Sequence, residues 1–167
     1  MFEAEVHDIV LNGIKNNVQH ENLMVDINSR KFAFDKNFLD CARAILLAML
    51  DSVDSSINDP KPLYQQIKIV IANWTPLLSN FITSEVDQTE LVWYLQEFCD
   101  TTRYEKIFPN ILGDFYNTDL IEKKAIFGWR NELSKTKSEE RRFLDLSSKL
   151  LTMLEETESE EEEDSEE

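Results

Sequence analysis

Apolar side chains at helical spacing are the feature that most constrains the fold of this chain. From residue 2 to residue 154 they recur every three or four positions, as in the run Phe2, Val6, Ile9, Val10 and Ile14. This period places the apolar residues of each segment on one face of an α-helix. The chain also contains only 3 Gly and 4 Pro, a composition that suits helices better than tight β-turns. The sequence therefore predicts an all-α protein.

About eight helices are expected, because loop-favouring residues interrupt the apolar pattern repeatedly. Asn22, Asp35, Asp87 and Asp119 are expected to begin helices, and Pro76 is expected to break or kink one. Successive helices with short connections predict a HEAT-like stack of antiparallel helix pairs. The predicted helices span residues 2–17, 22–34, 36–51, 63–82, 88–99, 103–116, 119–133 and 138–156.

Charge divides the chain into two parts. The net charge is −16, and residues 155–167 are almost entirely acidic, with no Lys or Arg among them. Such a segment cannot bury apolar surface, so we expect a helical domain over residues 1–154 and a disordered acidic tail over residues 155–167. Phosphates repel an acidic surface, which disfavours nucleic acids and anionic membranes as partners. A lysine-rich protein segment is the complementary partner.

Covalent catalysis is not expected, because the residue patterns that support it are missing from the sequence. The glycines stand apart from one another, so no phosphate-binding loop is predicted. His7 and His20 have no metal-ligand spacing around them, and no metal or cofactor is expected. Cys41 and Cys99 fall in apolar helical segments and are expected to be reduced core thiols, which fits a cytosolic or nuclear protein. No apolar run is long enough to span a membrane.

Two segments interleave aromatic and acidic residues, namely Glu85–Asp100 and Phe108–Glu132. Their aromatic residues can belong to the core, or they can lie half-exposed beside acids that bind a basic segment. Both readings stay open for Trp93, Tyr116 and Trp129. The candidate partner-binding residues are Glu85, Asp87, Glu90, Trp93, Glu97, Asp114, Tyr116, Asp119, Glu122, Trp129, Glu132, Glu155 and Glu156.

These segments resemble the two acidic and aromatic boxes of the W2 domain family. Residues 116–122 read YNTDLIE and are followed by Ile126 and Trp129, an order that resembles the second box, and Glu85–Asp100 resembles the first. W2 domains form the C-terminal part of initiation factor 5, of initiation factor 4G and of the epsilon subunit of initiation factor 2B. The resemblance implies an all-helical HEAT-like fold.

Within this family the N-terminal third resembles the epsilon-subunit group, through residues 22–34, NLMVDINSRKFAF. This resemblance implies guanine-nucleotide exchange on initiation factor 2, without covalent chemistry. The implied partners are the gamma GTPase subunit with GDP or GTP, the lysine-rich beta subunit, and other subunits of initiation factor 2B through an upstream part. Asp26 occupies the place of a glutamate that matters for exchange, and it is therefore the candidate catalytic residue.

The sequence also departs from the family pattern. Asn117 replaces the usual first aspartate of the second box, Lys123 and Lys124 stand where acids are common, and Met153 stands where a tryptophan is usual. The alternative function is a W2 adaptor module that binds basic segments of translation factors without exchange activity, as in initiation factor 5. Residues 1–34 favour exchange over this alternative.

Overall fold

A computed structural model of the chain describes the backbone of residues 1–166 and the side chains of residues 1–158. Within this part the chain is helical and contains no β-strand, so the predicted all-α class is confirmed. Short 3₁₀ turns at Glu105–Ile107 and Glu139–Arg141 precede two of the helices. The helices are α1 Phe2–Asn16, α2 His20–Ala33, α3 Phe38–Asp51, α4 Pro60–Ser79, α5 Glu85–Cys99, α6 Phe108–Asn117, α7 Lys123–Ser134, α8 Arg142–Leu146 and α9 Ser148–Glu166.

The helices stack in two layers, as predicted for a HEAT-like fold. Helices α3, α5 and α7 pack side by side in one layer, and α4 packs against α6 in the other. Helices α1 and α2 cover α3 at one end of the stack, and α8 and α9 follow α6 and α7 at the other end. One continuous apolar core runs through all of these helices up to Leu154. This architecture puts α2 and α7 at different ends of the domain, with α3 and α5 between them.

All four residues expected to begin helices miss the observed starts by a few positions. Helix α5 is capped by Ser84 and begins at Glu85, before Asp87. Helix α2 begins at His20, before Asn22. Helix α3 is capped by Asn37, whose side chain accepts from the N–H of Asp40 at 2.9 Å, whereas Asp35 has a φ of 54°. Asp119 has a φ of 62° and precedes α7 by several residues. Aspartate tolerates the left-handed region as well as the N-cap position, so a sequence reading easily confuses the two roles.

A break at Pro76, one of the two expected outcomes, is wrong, because α4 continues through it to Ser79. A kink there stays a prediction. Proline removes one backbone hydrogen bond from a helix. Pro76 is exposed, while Trp74, Leu77 and Leu78 on the same helix are buried in the core. The packing of these neighbours compensates for the bond that the proline removes.

The last predicted helix is divided in the structure. Helix α8 ends at Leu146, Ser147 is buried at the junction, and α9 begins at Ser148. Leu154 is the last buried apolar residue among those described, and the boundary at residue 154 stays a prediction. The backbone of α9 continues through residues 155–166. The side chains of residues 159–167 lie outside the described residues, and the disordered tail stays a prediction.

Both cysteines are free thiols buried in the core. Burial raises the pKa of the Cys41 thiol to about 11, and it also raises the pKa of the Cys99 thiol above its ordinary value. Thiols react as thiolates, so these positions suit inert core residues. None of the described helices is long and apolar enough to cross a membrane.

Candidate partner-binding site

The first acidic segment forms α5, which turns its apolar side inward and its acids outward. Leu91 and Leu95 are buried in the core. Ser84 caps the helix by accepting a hydrogen bond from the N–H of Asp87 at 3.2 Å, and the Asp87 carboxylate accepts one from the N–H of Thr83 at 3.0 Å. These bonds satisfy backbone groups that the helix start leaves without intrahelical partners. Asp87 therefore stabilises the start of α5.

A hydrogen bond joins the two acidic segments. Nε1 of Trp93 on α5 donates to Oε2 of Glu132 on α7 at 2.7 Å. One turn earlier on both helices, Gly128 of α7 faces Thr89 of α5. A Cβ added to Gly128 would lie 3.5 Å from Oγ1 of Thr89. The line of contact formed by Thr89, Trp93, Gly128 and Glu132 is called the α5–α7 seam below. Both predicted boxes thus contribute to one surface.

Trp129 belongs to the core rather than to this surface. Its side chain is 0% exposed, and its ring contacts that of Phe108 with centroids 5.4 Å apart. Its Nε1 donates to Oε1 of Gln96 at 2.8 Å, and Nε2 of Gln96 donates to Oε2 of Glu140 at 3.3 Å. The core reading is therefore correct for Trp129, whereas Trp93 and Tyr116 are half-buried. Trp129 reaches a partner only through the residues packed around it.

Glu97 is already paired with a cation from another helix. Arg43 on α3 bonds Oε1 of Glu97 at 2.8 Å and Oε1 of Glu3 at 2.6 Å. The guanidinium also lies 4.9 Å from the ring centroid of Phe98. Burial alone would lower the pKa of Arg43, but the two carboxylates raise it above its ordinary value. This arrangement ties α1, α3 and α5 together, so a partner must compete with Arg43 for Glu97.

Two further acids have partners within the chain. The hydroxyl of Tyr64 donates to Asp114 at 2.9 Å, which links α4 to α6. Burial, and then this bond, raise the pKa of Tyr64 to about 12. Glu155 forms an ion pair with Arg130 of α7. Both carboxylates therefore contribute to the packing of the helices that carry them.

The remaining candidate acids are available to solvent. Asp119 and Glu122 lie in the connection between α6 and α7, where the N–H of Glu122 donates to Oε1 of Gln88 at 2.8 Å. Among the residues whose side chains are described, no hydrogen bond or ion pair engages the carboxylates of Glu85, Glu90, Asp119, Glu122 and Glu156. Together with Glu132 these acids form the open negative charge of the site.

Asp26 lies on the exposed side of α2, at the end of the stack away from the α5–α7 seam. Helix α2 buries Leu23 and Ile27 against the core, and it packs on α1 and α3. Val25 beside Asp26 is 69% exposed, and Phe32 is 75% exposed. Exposed apolar side chains on the same helix as Asp26 mark a candidate protein contact surface. The candidate residues thus fall into two separate groups on the domain.

Four residues that build these surfaces are absent from the site predicted from the sequence, namely Arg43, Tyr64, Gln96 and Phe32. The first three act on residues far along the chain, and nothing in their local pattern reveals it. Phe32 is different, because it lies outside the apolar stripe of Leu23 and Ile27 on α2. A strict helical periodicity would therefore have placed Phe32 on the exposed side.

Comparison with known families agrees with this geometry. The W2 family, described as eIF4-gamma/eIF5/eIF2-epsilon, matches residues 87–164. The chain carries a W2 domain. The matched region contains α6, α7 and most of α5, and so includes both sides of the α5–α7 seam. The W2 resemblance predicted from the sequence is confirmed.

Relatives of this W2 domain include translation initiation factors. The chain is 36% identical over 139 residues to translation initiation factor eIF2B subunit epsilon of Dictyostelium discoideum, which covers 79% of the chain and 19% of that relative. It is 27% identical over 131 residues to the same subunit of Schizosaccharomyces pombe, covering 78% of the chain and 19% of the relative. It is 25% identical over 146 residues to human eukaryotic translation initiation factor 4 gamma 2, covering 81% of the chain and 16% of the relative.

Two facts follow from these alignments. The chain spans about a fifth of the length of the epsilon relatives that it matches. The Dictyostelium alignment of 139 residues is longer than the W2 match at residues 87–164, so the similarity also includes part of the N-terminal half. The predicted resemblance to the epsilon group is thereby confirmed.

Proposed function

We propose that this chain promotes GDP release from translation initiation factor 2, as the exchange domain of an eIF2B epsilon subunit. The observation that supports this most is the similarity to epsilon subunits, which extends beyond the W2 match into the N-terminal half of the chain. The exchange involves no covalent step and no cofactor of its own. We place it in the cytoplasm, with other eIF2B subunits as neighbours.

Asp26 is the proposed catalytic residue because of its position on α2. Its carboxylate is exposed and stands beside the exposed side chain of Val25. A GTPase holds GDP through Mg²⁺ and the lysine of its phosphate-binding loop. A carboxylate brought close to this site competes for the lysine or disturbs the Mg²⁺, and so favours the open state of the GTPase.

The experiment is to measure the release of fluorescent mant-GDP from translation initiation factor 2. Asp26→Ala and Asp26→Asn are both expected to slow release by about tenfold, which corresponds to roughly 1.4 kcal/mol of activation free energy. Glu21→Gln, which removes another exposed acid from α2, is the matched control and should release GDP like the wild type. Wild-type release rates in both Asp26 variants would contradict the proposed role.

We further propose that Glu132 of the α5–α7 seam, the other open acids of the two acidic segments and the tail capture a lysine-rich segment, the chemistry expected of the beta subunit. The supporting observation is that no other described side chain engages the carboxylates of Glu90 and Glu122, while the exposed Glu132 accepts the N–H of Trp93. Attraction of this kind weakens as salt screens the charges. A pull-down between about 50 and about 500 mM salt should therefore lose binding steadily, and binding that does not change with salt would contradict capture.

The tail and Asp26 are expected to contribute at different steps. Deletion of residues 155–167 should raise the concentration of domain needed for half-maximal GDP release, because long-range attraction increases encounter rates. The rate at saturating domain should change little. A deletion that slows release at saturation as strongly as Asp26→Ala would show that this separation of roles is wrong.

A W2 adaptor without exchange activity is the second candidate function, and the similarity to eukaryotic translation initiation factor 4 gamma 2 favours it. An adaptor would bind a lysine-rich segment through the same acids but would not change GDP release. The two functions are distinguished by adding the 167-residue chain to the factor loaded with mant-GDP. Binding without faster release would support the adaptor and contradict exchange.

A further inference from the structure

Helices α5 and α7 exchange indole hydrogen bonds in a reciprocal pattern. Trp93 on α5 donates to Glu132 on α7 at 2.7 Å, and Trp129 on α7 donates to Gln96 on α5 at 2.8 Å. On each helix the two residues are one turn apart, so they lie on the same face. The pattern therefore fixes how the two helices lie against each other at the α5–α7 seam.

The two bonds differ in burial. Trp129 and Gln96 are 0% and 2% exposed, so their bond lies inside the core. Trp93 is half-buried and Glu132 is exposed. The inner bond holds the helices in register, and the outer bond acts on a carboxylate that solvent and partners can reach. Only the outer bond is placed to influence binding.

We propose that Trp93 is a positioning residue, whose indole N–H orients Glu132 to receive a lysine ammonium group. This inference rests on the proposed capture of a lysine-rich segment. In it Trp93 acts through its N–H on Glu132, and not through contact of its ring with the lysine. A carboxylate has two oxygens and about four acceptor positions. The indole uses one position on Oε2 and leaves Oε1 for a cation.

Preorganisation explains why such a bond strengthens binding. A flexible surface glutamate loses side-chain entropy when it pairs with a lysine, and this loss cancels much of the attraction. The bond to Trp93 holds the Glu132 side chain before the partner arrives. Glu90 precedes Trp93 by one turn on α5 and supplies a second, half-buried acid near the seam. The site thus fits closely spaced lysines.

The experiment measures binding of a fluorescein-labelled octalysine peptide by anisotropy. Trp93→Phe keeps an aromatic ring but removes the N–H, and Glu132→Asp keeps the charge but shortens the reach to the indole. Both are expected to weaken binding by about tenfold at about 100 mM salt, the loss of one charge-assisted interaction. Asp145→Asn, which removes an exposed acid of α8, is the control and should bind like the wild type.

A double variant separates positioning from a direct ring contact. In a Glu132→Gln background, Trp93→Phe should have no further effect on binding, because there is no carboxylate left to orient. Trp93→Phe alone should keep the salt dependence of the wild type, since it removes no charge. Wild-type affinity in Trp93→Phe, or an equal loss in both backgrounds, would overturn the proposal.

The hydrogen bond itself is tested without a partner. In ¹⁵N–¹H spectra, Glu132→Asp should shift the indole signal of Trp93 and leave the indole signals of Trp74 and Trp129 in place. An unshifted signal would overturn the proposal even if the peptide binds. Failure of the wild-type chain to bind the peptide, with the expected indole shift, would instead contradict the capture function on which the proposal rests.

Discussion

The indole N–H of Trp129 and the side-chain oxygen of Gln96 form a 2.8 Å hydrogen bond inside the core. Gln96→Leu is expected to lower the free energy of unfolding by about 1–3 kcal/mol, because the buried N–H would lose its acceptor. Urea denaturation followed by circular dichroism measures this change. Gln65→Leu, at an exposed position of α4, is the control, and it should change stability by about 0.5 kcal/mol or less. Equal stabilities of the two variants would contradict the expected role of the bond.

Gly13 allows α1 and α2 to approach each other. A Cβ at this position would lie 2.6 Å from Cδ1 of Leu23, which is buried. Gly13→Ala should therefore destabilise the fold by about 1–3 kcal/mol through overpacking.

Gly113 is the matched control for this substitution. A Cβ there would lie 3.7 Å from Cδ1 of Leu150, an ordinary contact. Gly113→Ala should be neutral or stabilise by up to about 1 kcal/mol, since alanine favours helix. Thermal unfolding of both variants checks the pair. A similar effect of the two substitutions would show that the contact with Leu23 adapts without cost.

Pro76 offers a route to higher stability. Since it lies inside α4 and is exposed, Pro76→Ala should restore the missing backbone hydrogen bond and raise the free energy of unfolding by about 1–3 kcal/mol. Pro60→Ala at the first position of the same helix should have little effect, because the N–H there has no intrahelical partner. Denaturant midpoints compare the two, and a loss of stability in Pro76→Ala would contradict the expectation.

Arg142 predicts how stability depends on pH. It bonds Oε1 of Glu105 at 2.5 Å and also pairs with Asp100. The bond from Arg142, and then the N–H of Thr101, lower the pKa of Glu105 in the folded state. A lowered folded pKa means that the carboxylate stabilises the fold above its unfolded pKa of about 4.3, and that this contribution is lost as the pH falls through the lower folded value.

The test compares the wild type with Glu105→Gln. The variant should be less stable at neutral pH, and its stability should fall less steeply below about pH 5 because one ionised acid is missing. Urea denaturation at several pH values measures both curves. Parallel curves over the acidic range would show that Glu105 does not contribute to the pH dependence.

Local patterns were sufficient for most helices, but not for their ends or for the division of the last one into α8 and α9. The apolar spacing of α1, α3 and α5 predicted these elements because burial of one face leaves a period in the sequence. The capping positions were less predictable, since Asp35 and Asp119 adopt left-handed turns where a cap was expected. Pro76 shows the same limit, because packing of distant helices decides whether a proline ends a helix.

The candidate site divides in a similar way. The sequence by itself determined which segments combine acids with aromatic residues, and residues 87–164 do match the W2 family. Only the tertiary structure decided which of those acids remain open. Arg43 pairs with Glu97 across 54 positions of sequence, and Trp93 reaches Glu132 across 39 positions. The period of a helix can be recognised from residues close together in the sequence. The partner of a charged side chain depends on which helices the fold brings together.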